Sequence, residues 1–285
     1  MNVGVSSYSF SQYMKNTGAD IFAVISKAKE LGFSSFEFTS VYAPEGVDAL
    51  ERAREIRAYC RSLGMPISAY TVYADFLKYA DMEERLQREI NIASALGAPL
   101  LRHDVTAGFR DKRSPCVDFE EALKEVVPPI RRVTERAKAL GIRTMSENHG
   151  FFFQDSERIE RVITAVDSDN YGALIDMGNF ACVDEDSVAA VKRLAPYAFH
   201  VHVKDFFIRG EEQTALDAGW FSSRSGHRLC GPIVGVGDRP VDKCLHILRE
   251  QGYAGNYSIE FEGLEENILA LQTGLANLKR MNTYI

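Results

Sequence analysis

One stretch of the chain alternates apolar and polar side chains over the length of a strand: Phe199-His200-Val201-His202-Val203-Lys204-Asp205. Successive residues of a strand point to opposite faces, and one face of a barrel strand is turned inward. Phe199, Val201 and Val203 are therefore predicted to face an outer layer of helices. His200, His202 and Lys204 are predicted to face the interior, which indicates a polar site at the end of this strand.

Seven other strand-like runs occur, and a helix-like segment follows each of the eight. The strands are predicted at Val3–Phe10, Phe33–Thr39, Ile67–Tyr73, Leu100–Val105, Ile142–Glu147, Tyr171–Asp176, Ala198–Lys204 and Tyr257–Phe261. The helices are predicted near Asp20–Leu31, Val47–Leu63, Met82–Leu96, Phe119–Leu140, Glu157–Val166, Ser187–Leu194, Val241–Gln251 and Leu264–Met281. Eight β-then-α units predict a single (β/α)8 TIM barrel over residues 1–285. A doubly wound open sheet is the alternative, and it usually has fewer strands.

The longest irregular stretch, Phe206–Asp238, contains glycines, Trp220 and several charges. Loops of this length in a compact domain are often functional, so it is predicted to be a lid or insertion loop, with a mobile surface insertion as the alternative. A net charge of −7 and a pI near 5.5 argue against a nucleic-acid or membrane-surface partner. The first residues do not resemble a signal peptide, and no apolar run approaches the roughly 20 residues that span a bilayer. A cytoplasmic location is expected.

Four acids and bases lie at the C-terminal ends of consecutive predicted strands: Glu147, Asp176, His202 and Glu260. Barrel enzymes carry their chemistry at this end, so the four side chains are expected to converge at one mouth. Buried carboxylates are costly unless a cation compensates them, and oxygen and nitrogen ligands suit Mn²⁺, Mg²⁺, Co²⁺ or Zn²⁺. The pattern predicts a divalent-metal site. Salt bridges to Lys204 and Arg102 are the alternative.

Several short motifs occur in a characteristic order: Ser146-Glu147-Asn148-His149, Asp176-Met177-Gly178-Asn179, His200-Val201-His202-Val203-Lys204-Asp205, Gly235-Val236-Gly237-Asp238, Gly252-Tyr253-Ala254-Gly255 and Ser258-Ile259-Glu260. In this order the chain resembles the xylose-isomerase-like barrel superfamily of sugar phosphate isomerases and epimerases, over nearly its whole length. That group includes ketose 3-epimerases, hydroxypyruvate isomerases, inosose dehydratases and endonuclease-IV-type enzymes.

The resemblance implies a metal held by Glu147, Asp176, His202 and Glu260. It also implies that Glu147 and Glu260 are catalytic and move protons to and from a metal-stabilised enediolate. Two positions depart from the ketose 3-epimerase pattern. Asn179 stands where those enzymes have a histidine, and Ile208 stands where they have an arginine, with Arg209 one residue beyond. The His-Val-Lys-Asp run is more similar to inosose-dehydratase-like members.

Substrate contacts are predicted for six residues near the mouth: His149, Lys204, Glu37, His103, Asn179 and Arg209. The main hypothesis is a metal-dependent isomerase or epimerase of a small keto-sugar or polyol. The alternatives are a keto-polyol dehydratase with the same enolate chemistry, and a barrel that binds a sugar or metal without turning it over. The acidic charge and the six histidines argue against a three-metal endonuclease. A homodimer or homotetramer is an expectation from the family alone.

Overall fold

The computed structural model describes residues 1–106, 119–210 and 218–284. The strands in this part of the chain are β1 (Asn2–Ser6), β2 (Ser35–Phe38), β3 (Ile67–Val72), β4 (Leu100–His103), β5 (Arg143–Glu147), β6 (Tyr171–Asp176), β7 (Ala198–Val203), β8 (Phe207–Arg209), β9 (Phe221–Ser222), β10 (Arg228–Cys230) and β11 (Asn256–Ile259). Eight of them close into a parallel barrel in the order β1-β11-β7-β6-β5-β4-β3-β2. The predicted (β/α)8 barrel is thus confirmed.

The helices surround the barrel as α1 (Ser11–Thr17), α2 (Ile21–Leu31), α3 (Ala49–Ser62), α4 (Met82–Leu96), α5 (Phe119–Lys138), α6 (Ser156–Val166), α7 (Ser187–Leu194), α8 (Val241–Glu250) and α9 (Asn267–Tyr284). The main apolar core lies between strands and helices, where Val201 and Val203 belong to the same packed cluster as Leu86 and Ile90 of α4. Burial of this layer is the main source of stability for such a fold. Among the described residues, no helix has both the length and the apolar character needed to cross a bilayer.

Local signals place most helix ends where the sequence predicted them. Gly32 and Gly97 end α2 and α4 with φ angles of 88° and 76°, a left-handed conformation that glycine adopts without steric cost. The side chain of Asp20 accepts a hydrogen bond from the Ala23 amide and caps α2. Asp155 occupies the corresponding position of α6 without capping it. Its carboxylate pairs instead with Arg224, at 2.7 Å from Nη1.

The start of the chain departs from the prediction of a strand over Val3–Phe10. The strand ends at Ser6, and a 3₁₀ turn over Ser7–Phe10 leads into α1. The Ser9 hydroxyl donates to the Ile259 carbonyl and accepts from the Phe261 amide. These bonds to the end of β11 hold the turn beside the barrel mouth, a long-range effect that local alternation does not reveal.

The prediction that Phe206–Asp238 is irregular is wrong in part. Its described residues contain a small antiparallel sheet in the order β8-β10-β9. Its apolar face packs Phe206 and Leu229 against Ala181 and Cys182, which lie just after β6. Residues 211–217 of the stretch lie outside the described residues. The sheet therefore sits on the loop that follows Asp176, beside the barrel mouth.

The side chain of Phe199 faces the opposite way from the prediction. Pairing of β6 with β7 shifts register, so that Ala173 lies opposite Ala198 while Leu174 lies opposite His200. Phe199 is the extra residue of this β-bulge, and its ring packs inside the barrel against a cluster that contains Leu174. The prediction that Phe199 faces the helices is wrong, because the bulge reverses the alternation at that point.

Candidate metal centre

Four side chains meet at the C-terminal rim of the barrel, each from a different neighbouring strand. Glu147 and Asp176 are the last residues of β5 and β6, His202 lies in β7, and Glu260 directly follows β11. Strand register brings Asp176 and Ser258 level with His202 on its two sides. One potential ligand atom from each of the four lies within 4.8 Å of the others. The structure thus brings together all four residues for which the sequence predicted metal binding.

The Nδ1 atom of His202 stands at the centre of this group. It lies 3.6 Å from Glu147 Oε1, 3.6 Å from Glu260 Oε2 and 3.9 Å from Asp176 Oδ2. Nδ1 and Asp176 Oδ2 are buried and have no hydrogen-bond partner among the described residues. Orphaned buried polar atoms are costly, and a divalent cation would satisfy both. Three carboxylates and one imidazole are a donor set that fits Mn²⁺, Mg²⁺, Co²⁺ or Zn²⁺.

Two hydrogen bonds fix the orientation of Asp176. Its Oδ1 atom accepts from the amides of Gly178 and Asn179, so that Oδ2 is left to face the rim. The side chain of Asn148 bridges the backbone of Asp176 by donating to its carbonyl and accepting from its amide. The loop after β6 therefore presents one carboxylate oxygen in a fixed direction.

Glu37 holds His202 from behind. Both carboxylate oxygens of Glu37 lie 3.0 Å from His202 Nε2, and one lies 2.6 Å from His200 Nε2. An imidazole that shares its Nε2 proton with a carboxylate presents the Nδ1 lone pair on its other side. This is the arrangement in which a histidine binds a metal through Nδ1.

Two cations also pair with the carboxylates, as the salt-bridge alternative required. Arg102 donates from Nε to Glu147 Oε2 at 2.6 Å and from Nη1 to the Val72 carbonyl at 3.1 Å. Lys204 Nζ lies 2.6 Å from Glu260 Oε2 and 3.4 Å from Asp176 Oδ2. At Glu147 the two interpretations are compatible, because Arg102 contacts Oε2 while Oε1 faces His202. At Glu260 the same oxygen faces both Lys204 and His202.

The charges of the group set its protonation. Burial alone would raise the pKa of Glu147, but Arg102 and His202 hold it well below its ordinary value. Burial also opposes ionisation of Glu260, yet Lys204 and His202 keep its pKa below the usual range. Burial, with smaller contributions from the neighbouring glutamates, raises the pKa of Asp176 to about 6, despite Lys204. Both glutamates therefore carry negative charge at neutral pH.

The pKa values of Lys204 and His202 are shifted upward. Burial would lower the pKa of Lys204, but Glu260, Glu262 and Asp176 raise it well above its ordinary value. Burial likewise disfavours the imidazolium of His202, whose pKa is nevertheless raised well above the usual value, chiefly by Glu37 and Glu260. A cation that binds Nδ1 must therefore displace a proton.

A cavity of about 370 Å³ opens above the rim. Its walls include three residues for which the sequence predicted substrate contact: His149, Asn179 and Lys204. Asn179 Nδ2 donates to Glu147 Oε1 at 3.0 Å, and His149 Nδ1 lies 3.0 Å from Asp104 Oδ1. Burial opposes the imidazolium of His149, but Asp104 raises its pKa. The cavity floor is thus directly connected to the proposed ligands.

Three other predicted substrate contacts do not reach this cavity. Glu37 is fully buried behind His202. His103 is buried outside the strand layer beside Phe76 and Tyr171, and burial lowers its pKa to about 4. Arg209 belongs to β8 and pairs with Asp238 at 2.9 Å. His103 points outward from its strand, whereas Glu37 and Arg209 are held by residues far away in the sequence.

Sequence reasoning did not assign a site role to two acidic residues that the structure places there, Asp104 and Glu262. Asp104 pairs with His149, and an acid directly after a strand end was the available signal. Glu262 lines the cavity two residues after Glu260. Its inward direction follows from the alternation of the last strand, but its access to the cavity depends on the fold.

Comparison with known proteins agrees with this architecture. The family model described as "Xylose isomerase-like TIM barrel" matches residues 25–281. An inosose dehydratase from Clostridium perfringens is 23% identical over 250 residues, which cover 84% of this chain and 81% of the relative. A 3-keto-D-glucoside 4-epimerase from E. coli superposes with a TM-score of 0.73 at 16% identity, over 98% of this chain and 99% of the other. A xylose isomerase-like barrel protein from Mycobacterium smegmatis, solved in complex with magnesium, gives 0.71 at 17% identity, over 99% and 97%.

Proposed function

Because this chain belongs to the xylose isomerase-like TIM barrel family, we propose that it is a divalent-metal-dependent enzyme that removes a proton from the carbon beside the carbonyl of a small keto-sugar or keto-polyol. The observation that carries the proposal is the cluster at the rim, where three carboxylates surround the unpartnered Nδ1 atom of His202. The similarity to an inosose dehydratase and to a 3-keto-D-glucoside 4-epimerase supports this class of chemistry.

The metal would be held by Glu147, Asp176, His202 and Glu260. Bound there, it would supply Lewis-acid stabilisation of the negative charge that develops on the substrate oxygen. The need for such help follows from the glutamates themselves. Their lowered pKa values keep them ionised and able to accept a proton, but make them weak bases. Proton removal therefore depends on stabilising the carbanionic product.

Dehydration is the first candidate outcome, and the position of Lys204 favours it. Glu260 would accept the proton from carbon, and Lys204 would give a proton to the hydroxyl that leaves the neighbouring carbon as water. Their 2.6 Å contact then allows Glu260 to return its proton to Lys204. Protons balance, and the substrate loses one water to form a conjugated double bond. The inosose dehydratase named above supports the same outcome.

Isomerisation or epimerisation is the second candidate outcome. Glu147 ends β5 and Glu260 follows β11, strands on opposite sides of β7, and each has an oxygen 3.6 Å from His202 Nδ1. Two carboxylates so placed could take a proton from one face of a planar intermediate and return it at the other face or at the adjacent carbon. Asn179 and Lys204 would then orient the substrate rather than donate protons.

The test is a hydrogen-exchange and product assay on metal-stripped protein reloaded with Mn²⁺, Mg²⁺, Co²⁺ or Zn²⁺. Inosose and a panel of unphosphorylated ketoses would be incubated in D₂O, with proton NMR for loss of the C–H signal and ultraviolet absorbance for an enone. Exchange with water loss supports dehydration, and exchange without it supports isomerisation or epimerisation. Ligand binding with no exchange under any loading would contradict the enzyme proposal and leave a non-catalytic sugar-binding barrel.

Two variants sharpen this assay. Glu260→Gln removes the proposed base and should abolish exchange, whereas Glu30→Gln removes a carboxylate on α2 and should not alter it. Lys204→Met should retain C–H exchange but lose the enone if Lys204 protonates the leaving hydroxyl. Equal loss of both signals in Lys204→Met would contradict the dehydration mechanism.

A further inference from the structure

Glu262 is a carboxylate at the cavity wall that has no role in the proposed reaction. It lies two residues beyond Glu260, and 24% of its side chain is exposed. Its Oε2 atom lies 3.4 Å from the Tyr8 hydroxyl and 3.7 Å from Lys204 Nζ, both long contacts. Among the described residues, no hydrogen bond reaches its Oε1 atom. Glu262 therefore retains accepting capacity at the cavity.

Among the described residues, the one ion pair of Glu262 is with Lys204. Of the described residues that line the cavity of about 370 Å³, Lys204 is the one lysine or arginine. Its ammonium lies 2.6 Å from Glu260 and 3.4 Å from Asp176, so it is shared before it reaches Glu262. Burial raises the pKa of Tyr8 to about 12, with a further contribution from Glu262, so Tyr8 stays a neutral donor.

The small antiparallel sheet fixes the position of this carboxylate. A Cβ atom on Gly231, directly after β10, would lie 3.1 Å from Glu262 Cγ, and one on Gly263 would lie 2.5 Å from the Gly231 carbonyl oxygen. The end of β10 therefore packs closely against the chain at Glu262. Tyr8 and Glu262 also line a second cavity of about 180 Å³, so the pair forms a wall shared by both cavities.

We propose that Glu262 is a substrate-binding residue that accepts hydrogen bonds from hydroxyl groups of the substrate and disfavours an anionic substituent at that end of the cavity. The proposal rests on the proposed function, because it names the substrate class of the same site. An ionised carboxylate has only acceptor capacity, which suits hydroxyl donors. Near the same carboxylate, a phosphate or carboxylate group meets like-charge repulsion. The substrate class at this end is a neutral polyol.

Binding of non-reacting probes tests this independently of turnover. The Mn²⁺-loaded full-length protein would be titrated calorimetrically with myo-inositol and with myo-inositol 1-phosphate, as wild type and as Glu262→Gln. The variant keeps the side-chain shape but removes its charge. We expect about tenfold weaker binding of myo-inositol, since a charge-assisted hydrogen bond is lost. We also expect the ratio of phosphate to neutral affinity to rise at least tenfold. Attraction of phosphate to the metal contributes to both proteins, so the change in ratio isolates Glu262.

Two further variants separate binding from structural effects. Tyr8→Phe retains the Glu262 charge, so the affinity ratio should change less than in Glu262→Gln. Glu30→Gln should change neither affinity nor ratio, and the melting temperature of each variant shows whether the fold is intact. An unchanged ratio in Glu262→Gln, or phosphate bound in preference by the wild type with no response to the variant, overturns the inference.

The outcomes also distinguish this inference from the proposed function. If the affinities respond to Glu262→Gln but no substrate exchanges its C–H with D₂O, the enzyme proposal fails and the binding role stands. If exchange occurs but proceeds equally with phosphorylated and neutral ketoses in wild type and variant, the binding role fails and the enzyme proposal stands. A protein that binds neither probe and exchanges nothing contradicts both.

Discussion

The Nε2 atom of His202 lies 3.0 Å from each carboxylate oxygen of Glu37, inside the barrel and away from solvent. The opposite ring nitrogen faces three carboxylates and has no hydrogen-bond partner among the described residues. Glu37 thereby determines which nitrogen carries the proton and which offers a lone pair. The position of Glu37 favours an orienting role behind His202, the proposed metal ligand, over contact with substrate.

The first prediction follows from this contact. Glu37→Gln should weaken Mn²⁺ binding by about 10- to 100-fold. The amide carries no negative charge, and its NH₂ group can only donate where a carboxylate oxygen now lies 3.0 Å from His202 Nε2. The measurement is a calorimetric Mn²⁺ titration of metal-stripped protein, with Glu30→Gln as the control and the melting temperature as a check on folding. A folded Glu37→Gln protein with an affinity within twofold of wild type would show that Glu37 does not orient the ligand.

The second prediction concerns pH. Because burial raises the pKa of Asp176 to about 6, this carboxyl gains a proton as the pH falls through that value and becomes a poor ligand. His202, with a raised pKa, must also lose a proton to bind. Mn²⁺ affinity should therefore rise with pH between about pH 5 and pH 8, with proton release on binding.

Below about pH 6 the affinity should fall more steeply, by up to about tenfold for each pH unit and each additional proton. Calorimetric titrations in buffers of different ionisation enthalpy measure both the affinity and the protons released. Asp176→Asn should bind more weakly and lose the added steepness near pH 6. A pH-independent affinity in the wild type would argue against Nδ1 and Asp176 as ligands.

The third prediction addresses Arg102, which contacts Glu147 and lies 3.4 Å from Asp104. Arg102→Met leaves two buried carboxylates without their main cation, and removal of one partner from a buried pair typically costs about 3–5 kcal/mol. Urea unfolding of the metal-free protein measures the loss. Arg132→Met breaks an exposed pair with Glu83 and should change stability little. Similar losses in both variants would mean that the buried pair contributes no more than the exposed one.

The fourth prediction tests the β-bulge at Phe199, between β6 and β7. A Cβ atom on Gly172 would lie 2.6 Å from the Phe199 ring and 2.7 Å from the Tyr197 carbonyl oxygen. Gly172→Ala should therefore destabilise the protein by about 1–3 kcal/mol. Gly274 lies inside α9, where a Cβ would meet Ile259 and Val234 at an ordinary 3.5 Å. Gly274→Ala should be neutral or stabilising by up to about 1 kcal/mol. Thermal unfolding compares them, and equal stability of the two variants would contradict the inward position of Phe199.

Much of the site was readable from short-range patterns. Parallel barrel strands all end at one rim, so a polar residue at the end of each strand can be assigned to a shared mouth without coordinates. That rule placed Glu147, Asp176, His202 and Glu260 together. Lys204 and His149 followed from the same alternation. The roles of Glu37, His103 and Arg209 could not be settled in this way, because a strand position does not say which distant residue a side chain meets.

The sequence by itself determined the (β/α)8 architecture and the four residues at the rim, because hydrophobic alternation and helix punctuation are local properties of the chain. The tertiary structure alone decided that Phe199 turns inward, that Arg102 and Lys204 pair with the carboxylates at the rim, and that β10 packs against Glu262. These features depend on the register between strands and on contacts between residues far apart in sequence. Such contacts are fixed by the closure of the barrel, and no short segment encodes them.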